Sequence, residues 1–309
     1  MHLRFTPPTP EELDPLFPDY NVTGFIAKGG MGAVYLAHQI TKDRPVALKI
    51  LPRELCNDQQ SRSSFKTEIS AMATLDHPNL LSSYDYGEVD GLLYIVMEYH
   101  PGRSLFAKAR NRSVDMAEAA RLIIDICHGL DHAHNAGLIH RDIKPANILL
   151  DDDANPTIVD FGLARPLTDT HGGGQVYGTV GYTAPEVIRS PHTIDQRADI
   201  FSAGVMLYEL LTGRIPPHPY VSPSVISDSH PDFDVVILKA MHPHRDFRYA
   251  KASEMAAELE ELIEHLHDPK KAREKRYAKT APQSVQAPKT SPLALTPLGA
   301  SLQSRPLHR

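Results

Sequence analysis

The chain is poor in cysteine: Cys56 and Cys127 are the only two in 309 residues, and neither has a second cysteine or a histidine at ligand spacing. That excludes a disulfide scaffold and a cysteine zinc site. It also has no long apolar run. The greasiest stretch, residues 200–211, is broken by Ser202 and Glu209, and the N-terminus from Met1 to Pro8 has no apolar core of signal-peptide length. The expectation is a chain without a membrane span, located in the cytoplasm. No dense basic stripe occurs and the formal net charge is -6, which argues against nucleic acid as the main partner. Seventeen histidines are present, but His132 and His134 point to different faces of a predicted helix, and His242 and His244 flank a proline. A histidine metal site is therefore not expected. What the chain does have is 41% hydrophobic and 23% charged residues, enough apolar material for one large domain or two medium ones.

Periodicity divides the chain in two. Residues 22–26, 33–37 and 46–50 alternate β-formers between turn residues and are predicted as three antiparallel strands. Phe65, Ile69 and Met72 then mark one face of a helix that ends before Asp76-His77-Pro78, with Glu68 beside that face. Two further strands are expected around 80–88 and 92–98, turning at Asp90-Gly91. After Pro101-Gly102 the pattern becomes helical. Asp115 to Ala136 aligns Leu122, Ile123, Ile126, Leu130 and Ala133 and stops at Gly137, while 199–212 is apolar nearly all round and ends at Gly213. A last amphipathic helix carries Met255, Leu259, Leu262, Ile263 and Leu266. From 268 to 309 the composition shifts to Lys, Ala, Pro, Ser and Thr, the signature of a disordered tail.

The chemistry is concentrated in the second half. His140-Arg141-Asp142-Ile143-Lys144-Pro145-Ala146-Asn147, followed by Asp160-Phe161-Gly162, places within about twenty residues the groups that phosphoryl transfer uses. There is an Asp to accept a hydroxyl proton, a Lys to meet the moving phosphate, and an Asn and a second Asp to hold magnesium. Each tripeptide alone is an ordinary loop or strand exit; it is the ordered set that carries the signal.

Over about residues 20–267 these motifs resemble the bacterial eukaryotic-like (Hanks-type) Ser/Thr protein kinase family. The resemblance implies an α+β, two-lobed protein-kinase fold: a 1–19 extension, an N-lobe (20–100) with a small antiparallel five-stranded sheet and one helix, a mainly helical C-lobe (101–267), and the 268–309 tail. It also implies ATP with magnesium, manganese being the alternative cation. The glycine-rich loop reads Ala27-Lys28-Gly29-Gly30-Met31-Gly32-Ala33-Val34, where glycines let backbone N–H groups approach the phosphates. Ala27 stands at the usual first glycine, a departure expected to slow or weaken ATP binding without abolishing it. Lys49 would contact the α- and β-phosphates and pair with Glu68. Val34, Ala47 and Leu149 would sandwich the adenine, with Met97 at its back edge and backbone groups from Glu98 to His100 hydrogen-bonding it. Asp142 would be the proton acceptor, Asn147 and Asp160 the metal ligands, and Lys144, the feature resembling Ser/Thr rather than Tyr kinases, would neutralise charge on the phosphoryl group. In the stretch from Gly178 to Glu186, Thr179 would brace Asp142 and Lys144, and Glu186 would pair with Arg248; Asp199 would tie the catalytic loop to the buried helix.

The implied partners are proteins with Ser or Thr acceptors, including a second copy of the chain during autophosphorylation. Arg141 is expected to bind a phosphate on the loop before Gly178, yet 171–176 contains no hydroxyl; Thr168, Thr170 and Tyr177 are the nearest candidates, Thr168 or Thr170 is the expected acceptor, and activity without loop phosphorylation is the alternative. Residues 216–232 show no helical period where relatives place a docking helix. Thr280, Ser284, Thr290, Ser291, Thr296, Ser301 and Ser304 make the tail either a phosphorylated docking segment or a plain linker. Two rival readings stand beside the enzyme: a pseudokinase scaffold, favoured only by Ala27 and the missing loop hydroxyl, and a small-molecule kinase, disfavoured by the segment 178–186.

Overall fold

The computed structural model describes residues 5–29, 32–52, 59–109, 112–161, 179–189 and 194–267; side chains of 59–62, 64, 65 and 267 are not described. Backbone contacts separate a unit Met1–His267 from a second, Asp268–Arg309. The second unit lies outside the described residues, and with it the hydroxyls of the tail; Gly30, Met31, Thr168 and Thr170 also lie outside them.

The chain enters through one helical turn, α1 (Pro10–Leu13), whose first residue is a proline and whose N-cap Thr9 forms a capping box with Glu12. Five strands follow the predicted alternation: β1 (Tyr20–Gly29), β2 (Gly32–Gln39), β3 (Arg44–Ile50), β4 (Ser83–Val89) and β5 (Leu92–Glu98). They form one antiparallel sheet in the order β1-β2-β3-β5-β4. Because side chains alternate across a strand, register sets two faces. Val34 lies opposite Lys49, and Leu36 and Met97 both lie opposite Ala47, so these side chains share the inner face. Tyr35, Val46, Leu48, Ile50 and Val96 share the outer face and pack into a core with Leu13 and Phe17. Helix α2 (Gln59–Met72) buries Ile69 against Leu51, Leu93 and Ile95.

The strand expected over 80–88 starts later, at Ser83, because Leu80 is drawn into the other lobe. Leu80 bridges Ile158 in parallel, Ile158 N–H donates to Asn79 O at 2.8 Å, and Asn79 Nδ2 donates to Pro156 O at 2.8 Å. A local β pattern loses there to a long-range pairing.

The second lobe opens with β6 (Arg103–Ser104) and α3 (Leu105–Ala109), then α4 (Met116–Asn135), capped by Asp115 Oδ1 on the N–H groups of Ala117 and Glu118. β7 (Ile148–Leu150) and β8 (Pro156–Ile158) complete a three-stranded sheet with β6. α5 (Pro185–Arg189), α6 (Arg197–Thr212), α7 (Pro223–Ile226), α8 (Asp232–Ala240) and α9 (Ala252–His267) follow. α6 is buried on almost every side, as its all-round apolarity requires, and one core joins α4, α6, α8 and α9. In the stretch without helical period, 216–232, only the single turn α7 forms before α8 begins at Asp232.

Candidate active site

The loop between α4 and β7 is held from beneath by one carboxylate. Asp199, fully buried near the start of α6, accepts the backbone N–H of His140 at 2.8 Å and of Arg141 at 2.7 Å, and meets His134 Nε2 at 2.9 Å. Arg141 has φ 66°, a left-handed conformation that costs a non-glycine residue energy and persists only where its surroundings impose it. Two short hydrogen bonds to flanking N–H groups are that imposition. Burial pushes the Asp199 carboxyl up, but the hydrogen bond and charge of His134, with His140, outweigh it and hold the carboxyl below the ordinary aspartate range.

His140 organises the next layer. Its Nδ1 accepts the N–H of Asp142 at 3.2 Å, so Nε2 carries the proton and donates to Val159 O at 2.9 Å. Burial pushes its pKa down, against the pull of Asp199, consistent with a neutral ring. Phe161 packs on that ring at 4.7 Å.

On this support Asp142 lies in a web of donors. Lys144 Nζ reaches Asp142 Oδ2 at 2.7 Å and Thr179 Oγ1 at 2.8 Å, and Thr179 Oγ1 donates to Asp142 Oδ1 at 2.9 Å. Asn147 Nδ2 donates to Asp142 O at 2.9 Å and lies 3.3 Å from Oδ2. The Asn147 amide nitrogen is thus the end of the side chain engaged with Asp142. The sequence-predicted set Asp142, Lys144, Asn147 and Thr179 is brought together in one cluster.

Lys49 behaves differently from expectation. Its ammonium, buried on the inner face, pairs with Asp160 Oδ1 at 2.7 Å, and among the described residues no ion pair joins it to Glu68. Lys49 holds the Asp160 carboxyl below the usual range despite burial. Asp160 has φ 61°, a second left-handed non-glycine residue in the site. Glu68 is half-buried; desolvation pushes its carboxyl up, while the charge of Arg141 pulls it down. The Lys49–Glu68 pair is therefore corrected to Lys49–Asp160. One compact ammonium on a buried strand engages the carboxylate nearest to it, and chain separation gives no hint that Asp160 is nearer.

The residues expected around the adenine fall on two sheets. Val34, Ala47 and Met97 share the inner sheet face, and Leu149 is half-buried on β7. Glu98 and His100 form the connecting segment, where His100 Nδ1 accepts the Gly102 N–H at 3.1 Å. Gly102 has no alternative, since a Cβ there would stand 2.0 Å from Leu150 O. Ala27 pairs with Val34, Lys28 with Ala33 and Gly29 with Gly32 at the sheet end. Gly32 has φ 129°, and a Cβ would meet Ile50 O at 2.1 Å, so the loop root is a glycine position by sterics as well as by conformation.

Sequence reasoning passed over three contributors. His134 was dismissed as a metal ligand but is the side-chain partner of Asp199. His140 read as part of a tripeptide yet carries the loop's internal wiring. Glu209 counted only as an interruption of an apolar run; it is buried and accepts a hydrogen bond from Tyr182 OH. A charged residue inside a buried helix needs a partner, and that was the available signal.

Glu186 and Arg248 make the expected clamp: Arg248 Nη1 and Nη2 reach Glu186 Oε1 and Oε2 at 2.6 and 2.8 Å. The Arg248 side chain is 0% exposed, so Glu186→Ala leaves a buried guanidinium without its counter-charge, held by the carbonyls of His242 and Arg197. We expect a loss of about 3–5 kcal/mol, seen as a fall of roughly 10 °C in Tm by calorimetry. A change under about 2 °C would show the pair to be dispensable.

A two-lobed chain with a small antiparallel sheet, a helical lobe, an Asp142-Lys144-Asn147 cluster and a buried Lys49–Asp160 pair fits the class of phosphotransferases. The family model described as "Protein kinase domain" matches residues 20–288. The chain is 38% identical over 272 residues to a probable serine/threonine-protein kinase of Corynebacterium efficiens, covering 79% of this chain and 41% of that protein. It is 34% identical over 330 residues to the serine/threonine-protein kinase PknB of Mycolicibacterium smegmatis, covering 97% and 50%. The crystal structure of the Mycobacterium tuberculosis PknI kinase domain superposes with TM-score 0.66 at 27% identity, covering 79% of this chain and 96% of that one. The chain belongs to the bacterial eukaryotic-like (Hanks-type) Ser/Thr protein kinase family. It spans about half or less of the length of these two curated relatives. Among the described residues no helix is long and apolar enough to cross a membrane.

Proposed function

We propose that this chain transfers the γ-phosphoryl group of ATP to Ser or Thr hydroxyls of proteins, including its own, from a cytoplasmic location. The observation that carries the reading is the Asp142 carboxylate, fixed by Lys144 and Thr179 at 2.7 and 2.9 Å. An acceptor hydroxyl brought to Asp142 gives up its proton to that carboxylate as its oxygen forms the new bond to the γ-phosphorus. The bond from that phosphorus to the β–γ bridging oxygen breaks, and ADP leaves with the electron pair. Lys144, already spanning Asp142 and Thr179, is placed to offset charge on the transferring group. Lys49 serves the α- and β-phosphates, and Val34, Ala47, Met97 and Leu149, with the backbone from Glu98 to His100, receive the adenine.

The residues present also fit a divalent cation. Asp160 is held ionised beside Lys49, and Asn147 engages Asp142 through its amide nitrogen. Both side chains carry hard oxygen donors of the kind magnesium or manganese takes. When bound with the nucleotide, the cation would neutralise phosphate charge from these two ligands. A cation at Asp160 would share that carboxylate with Lys49, and a nucleotide phosphate would offer the ammonium a second anionic partner.

The test is incubation of the full chain with labelled MgATP and a generic basic protein, beside Asp142→Asn and Lys49→Met. Label on Ser or Thr that vanishes in both variants supports the reading. A folded parent that binds ATP but transfers nothing, even after treatment with an active upstream kinase, would instead make the chain a nucleotide-binding scaffold.

A further inference from the structure

The N-terminal segment, residues 5–19, precedes the part of the chain that matches the family, yet it is built into the sheet that carries the nucleotide site. Leu13 is fully buried and Phe17 nearly so, both in the outer-face core with Tyr35, Leu48 and Ile50. Phe17 packs edge-on against Tyr94 at 5.0 Å and Tyr20 at 6.5 Å. Three polar contacts fix the segment's path. Asp14 Oδ1 accepts the Val22 N–H at 2.8 Å, Pro8 O accepts the Tyr35 hydroxyl at 2.6 Å, and Asp19 O accepts the Ile40 N–H at 2.9 Å.

Two of these contacts fall on the hairpin that ends in the glycine-rich loop. β1 is the edge strand and is irregular: its register against β2 shifts between Val22 and Gly24 and again between Phe25 and Ala27. An edge strand with two bulges is poorly determined by its ladder alone. Asp14 holds the strand at the residue where the first bulge begins. Tyr35 is fully buried on the outer face, so its hydroxyl needs an acceptor, and burial pushes its pKa up to about 12. Pro8 O is that acceptor. Phe25, opposite Tyr35 in register, packs edge-on against it at 5.6 Å. Tyr35 is adjacent to Val34, which lies on the inner sheet face opposite Lys49, and the next pairs along the same strands are Ala27 with Val34, Lys28 with Ala33 and Gly29 with Gly32. A line of contacts therefore runs from the N-terminal strap through Tyr35 and Asp14 to the root of the loop that covers the phosphates.

We propose that residues 5–19 are a positioning element of the ATP site, with Asp14 and Tyr35 as the positioning residues that set the β1–β2 hairpin for nucleotide. The inference rests on the reading of the cleft as a nucleotide site.

The experiment uses the full chain and three variants, Tyr35→Phe, Asp14→Ala and Asp14→Asn, with a fluorescent ATP analogue plus magnesium as the probe. Tyr35→Phe keeps the ring and deletes one hydroxyl, and Asp14→Asn keeps an acceptor for Val22. We expect Kd for the analogue and KM for ATP to rise about three- to tenfold in Tyr35→Phe and Asp14→Ala. KM for the basic protein substrate should stay at the parental value, and Asp14→Asn should recover most of the affinity. If Kd stays parental in Tyr35→Phe and Asp14→Ala while Tm falls, the strap is only a stabiliser and the inference fails. It fails equally if both KM values and kcat move together, which marks damage to the whole lobe. A folded parent that does not bind the analogue overturns the nucleotide reading itself, and this inference with it.

Discussion

Replacing Asp142 by Asn is expected to lower kcat roughly a hundred- to ten-thousandfold while nucleotide affinity stays parental. The substitution keeps the size and one oxygen of the side chain, so Thr179 and Lys144 retain an acceptor between them, but an amide oxygen is too weak a base to take the hydroxyl proton. Folding should change little, because Asp142 is positioned through its backbone by His140 and Asn147 at 3.2 and 2.9 Å. Single-turnover phosphoryl transfer and titration with an ATP analogue separate the two effects. Transfer at the parental rate would remove Asp142 from the chemistry and leave the cluster as scaffold.

The second large effect is expected at Asp199, which touches no reactant. Asp199→Ala removes the acceptor for two N–H groups and for His134 inside a fully buried site, so the donors lose partners that water cannot replace. The expected cost is about 3–5 kcal/mol, read as a fall of roughly 10 °C in Tm. Activity should fall as well, because the left-handed turn at Arg141 loses what imposes it. The same site makes stability depend on acid. Asp199 has its folded pKa depressed, so its contribution is full above the ordinary aspartate range and is lost as pH falls through the folded value. His140 is also depressed; the unfolded chain binds its proton first, and stability begins to drop as pH falls below about 6.5. Chemical denaturation between pH 7 and pH 4 should therefore show falling stability in the parent, and a shallower fall in a His140→Gln variant that still folds. A parental profile that is flat across that interval would refute the assignment of a neutral buried His140.

Glu68 shows where local sequence reasoning stops. Its position on α2 was legible from the spacing of Phe65, Ile69 and Met72, but its partner was not. Whether Lys49 meets Glu68 or Asp160 depends on how a helix and a distant loop approach one strand, and here the contact at 2.7 Å is with Asp160. Leu80 teaches the same lesson for secondary structure. It lies within a run that reads as β4, yet it bridges Ile158 because the connection between the lobes buries it there. The strap is the third case. Leu13 and Phe17 look like isolated apolar residues in a proline-rich stretch, and only the fold brings them onto Tyr35 and Leu48.

By itself the sequence determined the identity and order of the chemical groups: Lys49, Asp142, Lys144, Asn147 and Asp160, the glycines at 29 and 32, and the strands and helices whose periods are 2 and 3.6. These depend on residue type and spacing over a few turns, which a linear chain records directly. Tertiary structure alone decided that Lys49 pairs with Asp160, how residues 5–19 pack on the hairpin, and that His134 and His140 join Asp199 in holding the turn at Arg141. Those outcomes follow from burial, since a polar group removed from water must find a partner within about 3 Å, and the partner it finds is set by packing between segments far apart in the chain.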